Sequence, residues 1–196
     1  MLKFIKENRK SIKVFVFLFI LGLASGVLCF KYINLASNNT FIESFNETLD
    51  LAKEGDLQNV NVFANGIKNT IKLYLILILT SLIVIAPLVL FVLHFIKGFS
   101  IGILMSVLLN ILGFNNGLIG IIFLITLPNL LCIPAYIFLS IKTIDFNYFI
   151  LDKSDFKVKV KQIIVYLMYF VLATPIIILS IITERLMFDL VLNICK

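Results

Sequence analysis

Tryptophan is absent from this sequence, histidine occurs once and cysteine three times in 196 residues. Charged residues make only 14% of the chain, against about a quarter in soluble domains. Each shortage excludes something. A single histidine cannot build a histidine-rich metal site. Cys29, Cys132 and Cys195 form no Cys-x-x-Cys pair or Cys/His cluster, so no metal site is written into the chain. Each cysteine lies in apolar sequence and reads as a small buried residue. Leu28 before Cys29 does not suit a lipoprotein signal, whose cysteine follows a small residue. There is no glycine-rich phosphate loop and no nucleophile beside a base. The chain therefore reads as non-enzymatic, without cofactor or metal. Its net charge of +6 does not point to nucleic acid, because the basic residues sit in short flanks between apolar runs.

What is present is hydrocarbon. Hydrophobic residues make up 61% of the chain, phenylalanine alone occurs 19 times, and the mean hydropathy is +1.09. The stretch 86–144 is almost unbroken apolar sequence, with scattered polar residues such as His94, Lys97, Asn110, Thr126, Asn129 and Lys142. No soluble fold of this size needs so much continuous apolar chain. The expected fold is all-α, a polytopic membrane helix bundle forming one membrane domain over residues 1–196.

Five transmembrane spans are expected, at about 14–33, 71–93, 98–114, 118–141 and 162–182. The basic start and first apolar run could be a signal peptide, but the run continues past Ala24-Ser25-Gly26 through Phe30, which favours an uncleaved anchor. Gly22 and Gly26, and again Gly98 and Gly102, stand four apart, the spacing that lets helix backbones approach. Pro87 is expected to kink the second span, and Pro128, Pro134 and Pro175 to interrupt later ones. Pro128 removes a backbone donor, and Thr126 and Asn129 are close enough to satisfy the groups it frees. His94 and Lys97 are expected to mark a membrane interface. The sizeable polar segment, 34–69, carries Glu43 and Glu47 among its acids, with Phe63 and Asn69 near its end. Its apolar residues recur at helical spacing, so it reads as surface helices and a candidate partner surface.

Orientation follows from the basic residues. With the N-terminus inside, eleven Lys and Arg, Lys97 among them, fall on inner flanks and six on outer ones, and seven of the eleven acids fall outside. The N-terminus is expected in the cytoplasm, with the C-terminus and the 34–69 segment external. A re-entrant hairpin in place of the third and fourth spans would change this parity.

Three sequence elements carry a resemblance. Phe63-Ala64-Asn65-Gly66-Ile67-Lys68-Asn69-Thr70 leads into the second span. Pro87 precedes Phe91-x-x-x-Phe95-x-Lys97-Gly98-x-x-x-Gly102. Then comes Leu127-Pro128-Asn129-Leu130-Leu131-Cys132-Ile133-Pro134-Ala135. In this order they resemble the stage II sporulation protein M family, across most of the chain. Relatives often carry Gln or His where Asn129 stands here. The resemblance implies a five-span protein of the mother-cell membrane, on the sporulation septum, that serves membrane migration and engulfment of the forespore. It implies anchoring or recruitment of two peptidoglycan-remodelling partners, stage II sporulation proteins D and P. The residue reading adds membrane lipid as a partner and allows a homo-oligomer. A competing reading is the permease subunit of an ATP-driven transporter, since proline-broken helices are common there, with the 145–161 loop as its coupling surface.

Overall fold

The computed structural model describes residues 2–36, 62–83, 85–151 and 156–194. These are almost entirely helical, with no strand among them. The helices are α1 (Leu2–Glu7), α2 (Arg9–Ala36), α3 (Val62–Ser81), α4 (Ala86–Gly120), α5 (Leu127–Leu151) and α6 (Phe156–Ile194). A π-helical segment, Ile121–Thr126, joins α4 to α5.

Among the described residues, four stretches are long and apolar enough to cross a membrane: Arg9–Tyr32, Ala86–Asn110, Leu112–Ile150 and Lys161–Met187. Their outer faces are large aliphatic and aromatic side chains. Val171 is 70% exposed and Leu130 is 67% exposed, which only a hydrocarbon solvent tolerates over so many positions. Inside, Phe15, Leu77, Leu90 and Leu139 are fully buried and anchor the main core, shared by α2 to α6. A smaller core of Ile101, Leu108 and Ile125 lies farther along α4.

The helix boundaries correct several expectations. The helix expected through 71–93 is interrupted, because α3 ends at Ser81 and α4 begins at Ala86. Short bonds from Leu82 N to Leu79 O (3.1 Å) and Ile83 N to Thr80 O (3.0 Å) close the turn. Pro87 stands in the first turn of α4, where its missing N–H would have no helical partner anyway and its fixed φ suits the helix. It starts a helix instead of kinking one. The boundary expected at 94–97 does not exist, since α4 runs on through it. The turn expected at Asn115-Asn116-Gly117 is displaced to Gly113, at φ 73° and ψ 175°. A side chain is strained at that φ and glycine is not. Pro134 and Pro175 lie inside helices that continue through them.

Side-chain contacts fix the helix directions. Tyr74 Oη donates to Phe170 O (3.3 Å) and Tyr166 Oη to Leu77 O (3.4 Å), so α3 and α6 are antiparallel. Thr143 meets Tyr166 at 3.1 Å, while Ser180 donates to Pro128 O at 2.8 Å, so α5 and α6 are antiparallel too.

Candidate functional site

Glycine spacing builds the first part of the site. A Cβ on Gly22 would strike the carbonyl oxygen of Phe95, and one on Gly26 that of Phe99. Reciprocally, a Cβ on Gly98 would strike the carbonyl of Phe19, and one on Gly102 that of Leu23. All four obstacles are backbone atoms, which cannot rotate aside. The two glycine pairs therefore interlock with each other, a pairing that spacing alone does not specify. The numbers rise together along both helices, so α2 and α4 are parallel.

That close approach presses the next side chains inward. Phe15 of α2 stacks on His94 of α4 (ring centroids 4.3 Å apart), and His94 stacks on Tyr136 of α5 (4.3 Å). His94 is fully buried. Its Nδ1 lies 2.8 Å from Leu90 O. A carbonyl only accepts, so Nδ1 carries a proton and donates. Nε2 is buried and, among the described residues, has no partner, a state that costs about 1–3 kcal/mol. Lys97 follows one turn later on the same helix and is half-buried. It lies within electrostatic reach of Cys132 on α5 and Glu184 on α6. Neither His94 nor Lys97 marks an interface, as their place in the sequence suggested. Lys97 sits eleven residues into α4, ~16 Å along its axis at 1.5 Å per residue. A cation at such depth is costly and points to function or to a specific partner.

The proline region forms the second part. Asn129 Nδ2 donates to Ile125 O (2.8 Å) and Thr126 Oγ1 to Ile121 O (3.1 Å). Both acceptors belong to the π-helical segment, whose ladder Pro128 disturbs. Ser180 of α6 completes the arrangement through Pro128 O. Irregular turns of this kind inside helices recur at functional sites.

The third part lies where α3 turns into α4. Asn147 Nδ2 donates to Ser81 O and to Ile83 O, both at 2.8 Å. One amide from α5 thus holds the end of α3 and the turn after it, while its own Oδ1 is buried and, among the described residues, has no partner. Nearby, the rings of Phe146 and Tyr166 stack at 4.2 Å. Lys142 pairs with Asp145 (3.0 Å) and lies over the rings of Phe4 and Tyr169.

The structure thus brings Lys97, Gly98 and Gly102 together on α4, and Pro128 and Asn129 beside the π-helical segment. Pro87, Pro134 and Pro175 belong to neither group. Of the partner-surface candidates, Glu43 and Glu47 lie outside the described residues, the Phe63 backbone is in the first turn of α3, and Asn69 is exposed on α3. Phe15, Tyr136, Asn147 and Tyr166 were not evident from sequence. A polar residue within an apolar stretch was the signal available for Asn147. Phe15 and the tyrosines look like any other core aromatic. Among the described residues no three His, Cys, Asp or Glu side chains gather closely enough to hold a metal ion.

The family model for stage II sporulation protein M matches residues 15–186. No curated protein and no solved structure matches the chain.

Proposed function

The chain belongs to the stage II sporulation protein M family, and from that membership we propose that it is a non-enzymatic membrane scaffold for engulfment. The family match over residues 15–186 carries the proposal. On this reading the chain sits in the mother-cell membrane at the sporulation septum. It anchors or recruits stage II sporulation proteins D and P, which cut the wall while this chain positions them.

The proposed topology adds α3 to the four long apolar stretches, giving five crossings, with the N-terminus cytoplasmic and the C-terminus external. The helix directions support it. If α2 runs outward, the parallel α4 does too. Then α3 runs inward before the turn at 82–85, the chain returns inward through α5, and α6 runs outward. Removing Lys97 from the inner flank leaves ten of the eleven basic residues counted there, still more than the six outside. The proposed crossings use α3 and α4 in place of 71–93 and 98–114.

Deleting the gene tests the proposal. Cells should grow and divide asymmetrically at the wild-type rate, while the mother-cell membrane fails to migrate around the forespore. A deletion strain that engulfs on schedule would overturn the scaffold reading. The permease subunit is the second reading, and the observation in its favour is Lys97, a cation set deep within a helix. It requires a partner ATPase.

A further inference from the structure

Beyond their glycine contacts, α2 and α4 flank an open crevice of about 460 Å³, lined by Val27, Leu28, Phe30, Lys31, Ser106, Leu109 and Asn110. That volume falls in the range of roughly 300–1,000 Å³ typical of ligand sites. Its position follows from the packing. Gly26 and Gly102 hold the backbones together, and one to two turns later Phe30, Leu109 and Asn110 replace them and leave a crevice. Lys31 lies five residues past Gly26, ~8 Å along the helix.

The lining is polarised. Val27, Leu28, Phe30 and Leu109 make an apolar wall. Lys31 stands one residue before the end of the apolar stretch Arg9–Tyr32, and Asn110 ends the stretch Ala86–Asn110. Because α2 and α4 are parallel, both polar groups reach the same membrane boundary. Both are exposed. Among the described residues neither has a hydrogen-bond or ion-pair partner. The Ser106 hydroxyl is already engaged, donating to Gly102 O at 3.0 Å. Among the described residues Lys31 is the only charged group in the lining.

We infer that this crevice binds one anionic phospholipid, its acyl chain against Val27, Leu28 and Leu109 and its phosphate against Lys31 and Asn110. The charge is complementary, since the ammonium supplies a cation and the amide a donor to phosphate oxygens. The depth is complementary too, because the polar groups sit where an apolar stretch ends and the wall lies below them. A cationic group beside an apolar crevice between transmembrane helices can hold an anionic headgroup, and on the proposed topology this crevice opens at the external boundary.

The test uses the full chain, delipidated in detergent and incubated with mixed micelles of phosphatidylglycerol and phosphatidylcholine in equal amounts. Retained lipid is measured after gel filtration. The wild type should retain phosphatidylglycerol in preference. Lys31→Gln should lower that preference roughly five-fold, the effect of one basic residue near an anionic surface, and Lys31→Arg should keep it. Lys68→Gln, which removes an exposed cation from α3, should leave it unchanged. Three results would overturn the inference: equal retention of both lipids by the wild type, equal loss in Lys31→Gln and Lys68→Gln, or displacement of the retained lipid by inorganic phosphate alone.

Discussion

His94 is closed between the rings of Phe15 and Tyr136 with one ring nitrogen unpartnered among the described residues. Packing and chemistry can be separated there. His94→Ala removes the middle ring and leaves a cavity, so stability should fall by about 3–5 kcal/mol, the usual cost for a buried aromatic. His94→Phe keeps a ring of similar shape and removes the orphaned nitrogen. Thermal unfolding in detergent should therefore show it close to wild type. If His94 serves only packing, His94→Phe cells should also sporulate normally. Asn147 offers a second test. Asn147→Leu deletes both bonds to the turn after α3 and should cost about 1–3 kcal/mol. Proteolysis of the solubilised protein should then cut near residues 81–86 faster. Unchanged cleavage would show that the turn stands without the amide.

Gly22, Gly26, Gly98 and Gly102 make the α2–α4 contact a single unit, because each faces backbone of the other helix. Gly98→Ile should force the helices apart and destabilise the protein by more than the ~1–3 kcal/mol of an ordinary overpacked core. Gly113→Ala meets no neighbouring atom, yet it sits at positive φ. It should cost about 1–3 kcal/mol through backbone strain alone, and denaturant unfolding of the two variants separates the two causes. The glycine spacing was legible in the sequence as a packing device, and so was the helical, membrane-bound character of the chain. The pairing of one glycine motif with the other was not, since a spacing does not name its partner. Nor was the break at 82–85. Those residues are as apolar as their neighbours, and Pro87 alone is compatible with either a kink or a helix start. Asn129 and Thr126 do bond locally within the proline-disturbed turn, but to Ile125 O and Ile121 O, not to the carbonyl four or five residues before Pro128 that its missing N–H frees. The contact from Ser180, 52 positions away, was not legible.

The molecule as a whole joins two packed groups, α2 with α4 and α3 with α5 and α6, through the His94 stack and the π-helical segment. On the proposed topology, a cysteine placed at Asn69 in a cysteine-free background should react with an impermeant thiol reagent added to intact cells. One placed at Asp145 should react only after lysis. Reaction of both from outside would contradict the proposed orientation. The family and the membrane character were legible because short ordered motifs and long apolar runs survive in one dimension. The depth of Lys97 was hidden, since a lysine between apolar runs looks like an end until α4 is seen to pass through it.

The most direct test of the scaffold proposal is affinity purification of the tagged full chain from membranes of sporulating cells, with the bound proteins identified by mass spectrometry. Peptidoglycan-cutting proteins, stage II sporulation proteins D and P, should be enriched over an untagged control. Recovery of an ATPase without either wall-cutting protein would contradict the scaffold proposal and favour the permease.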